Sequence, residues 1–190
     1  MKEVIRMKYN YAHLEKNISD MIFEGLLKIG YFKEQRISIY YDKGLLSYLL
    51  GVDYLEEEEY ASCFKGFKEY VSSTLPDLVI KRQKERFEFS VSSEGVSYIY
   101  HNNSSRKFLK ELIDVLNKKE CTLEEIIHVF ESVSKEIVVD HVEHPEFQYV
   151  IYFKDKDMDE FKYCISFDEM GHYYHRLIDY DFHKIMDSDD

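Results

Sequence analysis

The sequence predicts an α+β fold, a single domain over residues 1–186 in which helices pack on a mainly antiparallel sheet. Three observations carry this. Apolar residues recur at helical spacing through much of the first two-thirds, they alternate strictly in the last third, and no repeat or low-complexity linker separates the two regimes. At 190 residues and 45% hydrophobic composition, the chain is long enough to bury a core without a disulfide or metal staple.

The elements follow in order. From Tyr11 to Ile29 the residues Leu14, Ile18, Met21, Ile22, Leu26 and Ile29 recur at helical spacing, and Gly30 stands where the helix should stop. Arg36–Tyr41 alternates like a short strand, and Gly44–Leu50 reads as one or two helical turns ending at Gly51. The four glutamates Glu56–Glu59 open a helix with Tyr60, Cys63, Phe64, Phe67 and Val71 on one stripe, since anions suit the positive end of the helix dipole. Leu78–Lys81 and Arg86–Val91 are strand-like, joined by the basic loop Lys81–Arg86. Ser92–His101 is open between a hairpin turn and a helix capped by Ser92, with the helix the better fit because it turns Val96, Ile99 and Tyr100 inward.

Ser104 or Ser105 caps the next helix, which carries Phe108, Leu109, Leu112, Ile113 and Leu116. Thr122 and Glu125 form a capping-box pattern ahead of Ile126, Ile127, Phe130 and Val133, which completes a central α-hairpin. Phe147, Tyr149, Ile151 and Phe153 then lie on one side of a strand, and Phe161, Tyr163, Ile165 and Phe167 on one side of another. A third strand from His172 to Leu177 gives a C-terminal three-stranded meander, and the acidic tail 187–190 is expected to fray.

These stretches carry a resemblance. RISIYYDKGLLSYLLG, FEFSVSSEGVSYIYH, CTLEEIIHVFE and above all EFQYVIYFKDKDMDEFKYCISFDEMGHYYHRL resemble an uncharacterised bacterial family, mostly of gut clostridia, known as a domain of unknown function. The resemblance runs over nearly the whole chain and implies one domain in a bacterial cytoplasmic setting. It implies no activity, ligand or catalytic residue.

Charge narrows the partners. The formal net charge of −12 is unevenly placed: residues 1–95 hold 14 basic and 16 acidic groups, residues 96–190 hold 11 and 21. Such a surface repels phosphate backbones and anionic lipid, so neither nucleic acid nor a membrane is an expected partner. It suits a basic or polar protein or peptide instead. No apolar run reaches the ~20 residues of a bilayer span, and the basic residues before Tyr9 are followed by no apolar block of a secretory leader. Three widely spaced cysteines, an odd number, fit a reducing compartment, so the expected location is cytoplasmic.

Candidate chemistry is sparse. His141 with His144 and His172 with His175 form two H-x-x-H pairs, but Pro145 turns His144 out of the helical region and residues three apart on a strand face opposite ways, so no metal is expected. Asp155, Asp157 and Asp159 open like a calcium loop, which then lacks the turn glycine and the bidentate glutamate. No phosphate loop, nucleophile elbow or dinucleotide fingerprint occurs, and no cofactor or catalytic residue is assigned.

Cys164 and His175 make a nucleophile and base only if register brings them together. A two-residue loop, Glu169-Met170, sets them opposite; a three-residue loop ending at Gly171 sets Cys164 opposite Arg176. The second is expected, because the first turns His172, Tyr174 and Arg176 onto the apolar side of the neighbouring strand, where an unpaired charge is expensive. One polar face then bears Tyr152, Lys162, Cys164, Ser166, His172, Tyr174 and Arg176, joined by Gln148 and Val150 if Phe153 pairs with Phe161. It suits a small anionic ligand or a peptide. The expected function is a non-enzymatic binding or interaction protein, with a toxin-neutralising, immunity-like role as one concrete form. A small hydrolase or ligand-binding enzyme built on Cys164, His172 and Arg176 is the alternative.

Overall fold

The computed structural model describes residues 8–102, 107–156, 159–169 and 171–187. Its elements are helices and two antiparallel sheets, an α+β fold, and its contacts gather into two compact units, Met1–Ser105 and Arg106–Asp190.

The first unit opens with α1 (Tyr11–Ile29). Asn10 caps it by accepting from the His13 amide at 3.1 Å, Leu14, Ile18, Ile22 and Leu26 are buried, and Gly30 stops it at φ +88°. β1 (Ile37–Asp42) turns directly into α2 (Lys43–Leu50), because the Asp42 carboxylate accepts from the Leu45 amide at 2.8 Å and so closes the strand as a helix cap. In α3 (Glu59–Tyr70) the residues Tyr60, Cys63 and Phe67 are buried, while Glu59 reaches back to the Glu56 amide.

β2 (Val79–Gln83) and β3 (Arg86–Val91) form a hairpin, and β3 is the centre of a sheet of order β1-β3-β2. Phe87, Phe89 and Val91 point into the core, where Phe87 and Phe89 meet Tyr60, Phe64 and Phe67 of α3 with ring centroids 4.6–6.2 Å apart. Burying such a ring is worth on the order of 2–3 kcal/mol. The basic loop is solvated, and its Arg82 pairs with Glu57. α4 (Ser93–Asn102) settles the open stretch as a helix, with Ser92 Oγ accepting from the Gly95 amide at 3.2 Å. Gly95 lies so close to the sheet that a β-carbon there would stand 2.7 Å from Val91 Cγ1.

The second unit opens with the α-hairpin of α5 (Lys107–Leu116) and α6 (Leu123–Val133). Thr122 and Glu125 make the reciprocal capping box; Ser104 and Ser105, the expected caps of α5, lie outside the described residues. β4 (Ile137–His141), β5 (Tyr149–Phe153), β6 (Phe161–Asp168) and β7 (Gly171–Ile178) follow as a meander in that spatial order, and α7 (Asp179–Met186) ends the chain. The meander thus has four strands, β4 being the one added. One face of its sheet packs Phe153 and Tyr163 against Phe108 and Phe130, with ring centroids 5.0–6.0 Å apart. The other holds Val150, Cys164 and Phe147, with Phe182, Ile185 and Met186 of α7 packed over them.

Register is where expectation and structure part. β6 and β7 pair Asp168 with Gly171, and therefore Cys164 with His175; the connection is the two-residue one. Asp168 Oδ1 accepts from the Gly171 amide at 3.0 Å and Gly171 takes φ +144°. The objection to this register is a charge buried on the apolar face, and the fold answers it with partners. The Arg176 side chain is only 2% exposed; its Nε donates to Tyr163 Oη at 3.1 Å, its Nη2 lies 3.8 Å from Asp159 Oδ2, and its guanidinium carbon sits 3.5 Å from the Phe161 ring centroid. Phe147 also departs from its expected side: it precedes β5 and packs with Cys164, opposite Ile151 and Phe153.

Candidate functional site

The β6–β7 register divides the seven residues expected on one polar face. Strand alternation places Tyr152, Lys162, Cys164 and Ser166 on one side, with Val150 opposite Cys164 as Phe153–Phe161 pairing requires. His172, Tyr174 and Arg176 project from the other side, among the aromatic residues. There the His172 Nε2 lies 2.6 Å from the Leu116 carbonyl, which ties the strand to α5.

On the first side a cleft of about 260 Å³ opens beside Lys162. Tyr152, Lys154, Lys156, Asp179 and His183 contribute to its lining. Lys162 is held from three directions: its Nζ is 3.2 Å from Asp179 Oδ1, 3.9 Å from the Tyr152 ring centroid and 5.0 Å from that of Phe182. Lys156 pairs with the same carboxylate. Burial pushes the Asp179 carboxyl up, but hydrogen bonds from Lys156 and Lys162 outweigh it and hold the group below its ordinary value. Asp179 is also the first residue of α7, where the helix dipole favours an anion. Sequence reasoning missed this residue because it missed α7: Ile178 supplies no side-chain cap, and the only signal was the spacing of Phe182, Ile185 and Met186.

Cys164 and His175 are opposite each other, yet they make no dyad. The thiol is fully buried beneath α7 and burial pushes its pKa up to about 12, whereas His175 is exposed, and no hydrogen bond joins the two among the described residues. A nucleophile needs thiolate at working pH. Cys63, also buried, is pushed up to about 11 for the same reason. All three cysteines are free.

The remaining motifs have structural employment. Asp159 accepts from the Phe161 amide at 2.8 Å and from Tyr163 Oη at 3.0 Å; Asp157 of the calcium-like triplet lies outside the described residues. Tyr163 is fully buried, and that burial raises its pKa well above the ordinary phenol value despite the nearby Arg176. His144 stacks on Phe147 with centroids 4.0 Å apart and accepts from the Glu146 amide, and His141 packs edge-on to Tyr149. Among the described residues no three His, Cys, Asp or Glu side chains gather as metal ligands, and no helix is long and apolar enough to cross a membrane.

A protein-family model described as "Domain of unknown function, E. rectale Gene description (DUF3877)" matches residues 11–186. No curated protein and no solved structure matches the chain.

Proposed function

The chain belongs to the DUF3877 family, and from its own surface chemistry we propose that it is a non-enzymatic binding or interaction module of the bacterial cytoplasm, presenting an acidic face to a basic or polar protein. A toxin-neutralising, immunity-like role is one concrete form of that function.

The supporting observation is where the negative excess of residues 96–190 stands. Asp114, Glu120, Glu124, Glu131, Glu136 and Asp140 are all exposed, so their charge is presented to solvent and adds to a field that draws cations. The cationic residues of the cleft, by contrast, are partly spent on Asp179.

The test is capture of native cytosolic protein on the immobilised full chain across a salt series. The captured protein should have a basic isoelectric point, its retention should fall steeply between ~0.05 and ~0.3 M salt as exposed charges are screened, and Glu131→Lys/Glu136→Lys should lose it. Capture of neutral or acidic proteins with no salt dependence would overturn the reading.

A further inference from the structure

Among the described residues β4 is an edge strand: it pairs with β5 on one side, and Val139, Asp140 and His141 are exposed. Its ladder fixes which backbone groups are spent. The Lys154 amide donates to the Glu136 carbonyl at 3.0 Å and the Val142 amide to the Gln148 carbonyl at 2.9 Å, so by antiparallel alternation residues 136, 138, 140 and 142 turn their backbone toward β5. Ile137, Val139 and His141 therefore aim three N–H and three C=O groups outward, along the edge.

The chain that leads into, forms and leaves that strand carries an acidic excess. Between residues 131 and 146 stand five carboxylates, Glu131, Glu136, Asp140, Glu143 and Glu146, all exposed, against one lysine. The exposed side chains of Val133 and Val139, 42% and 39% accessible, add an apolar element beside it. A second copy of this chain is a poor occupant, because pairing β4 with β4 brings two sets of carboxylates together. An extended segment with lysine or arginine on one side and small apolar residues on the other satisfies the backbone row, the carboxylates and the valines at once.

We propose that β4 is a docking edge for an extended basic segment of a partner protein, which adds to the sheet as a fifth strand. The proposal rests on the binding-module reading above and gives that partner its chemistry. Backbone pairing supplies the affinity, and the carboxylates supply selection and approach.

The test uses the full chain and a fluorescein-labelled heptapeptide alternating lysine and valine, with a glutamate–valine peptide as control. Fluorescence anisotropy reads binding, and NMR amide exchange reads its place. The lysine peptide should bind at low salt and slow exchange at Ile137, Val139 and His141, while the glutamate peptide does neither. Asp140→Lys should weaken binding by about tenfold. Val139→Pro removes an outward donor without touching the β4–β5 bonds and should abolish the protection; should the proline variant not fold, the Asp140→Lys result decides. Binding that leaves those three amides unprotected, or no binding of the lysine peptide, overturns the docking edge. The cytosolic capture above is a separate readout, so the acidic-surface reading can stand or fall independently.

Discussion

Two strands at the centres of the two sheets behave differently. Along β3 of the first unit, burial alternates: Phe87, Phe89 and Val91 are in, and the residues between them are partly out. Along β6 of the second unit, Tyr163, Cys164 and Ile165 are buried in succession, because the α-hairpin covers one face of that sheet and α7 the other. Polar alternation reports register only where one face meets water. Where both faces are covered, a polar side chain is admitted on either side provided it finds partners, and Arg176 shows how far this goes.

The largest effect should come from removing the partner. Asp159→Ala takes a carboxylate away from the buried guanidinium of Arg176, and the Asp159 bonds to the Phe161 amide and the Tyr163 hydroxyl with it, and should destabilise the chain by about 3 kcal/mol. Replacing both groups, as Asp159→Leu with Arg176→Met, should recover most of the loss, since a buried ion pair is rarely better than a well-packed apolar pair. Denaturant unfolding measures the totals, and amide exchange along β7 localises them. If Asp159→Ala unfolds like the parent, the charge has another source of support, and Asp159 is not what admits Arg176 to the aromatic face.

The elements legible in the sequence were those with a local signature. Gly30 closes α1, Gly51 closes α2, and Thr122 with Glu125 starts α6, each signal lying within a residue or two of the helix end that it marks, whereas the caps Asn10 and Asp42 emerged only with the structure. The register of β7 was not legible, because Arg176 is received by Asp159, Phe161 and Tyr163, 13 to 17 positions away in sequence, and none of these side chains has a pattern that announces a buried cation as its partner. The same holds for the candidate site: Tyr152 and Lys162 were found from alternation along neighbouring strands, whereas Asp179 enters through a helix with no capping side chain.

In the first unit the corresponding weakness is steric. Gly95→Ala places a methyl 2.7 Å from Val91 Cγ1 and 3.4 Å from the Leu75 Cα, the latter being backbone that cannot swing away. Overpacking of this kind costs typically 1–3 kcal/mol, and the better helix propensity of alanine returns up to about 1 kcal/mol. A net loss of about 1 kcal/mol is expected in denaturant unfolding. A gain in stability would mean that α4 moves off the sheet at little cost, and the contrast in packing between the two central strands would soften.

The smallest effect compares two carboxylates, one in each unit, that are both held below their ordinary values. Glu57 is held down by hydrogen bonds from Lys43 and Arg82 at an exposed site; Asp179 is held down by Lys156 and Lys162 at a partly buried one. The sign is the same for both: a depressed folded pKa contributes stability above the unfolded value, near 3.8 for Asp179, and that contribution is lost as pH falls through the folded value. Asp179→Asn should therefore lower stability at neutral pH by about 0.5 kcal/mol, after allowing for solvent screening, and flatten the acid limb of the stability curve. The two sites should separate in salt. At ~1 M, where the Debye length is about 3 Å, the pH dependence removed by Glu57→Gln should already be gone from the parent, whereas that removed by Asp179→Asn should persist in part, because the Asp179 side chain is 17% exposed and Lys162 beside it 14%. Equal loss at both sites in urea titrations from about pH 2 to about pH 7 would show that the cleft is as wet as the open surface, and would remove the electrostatic distinction between the two units.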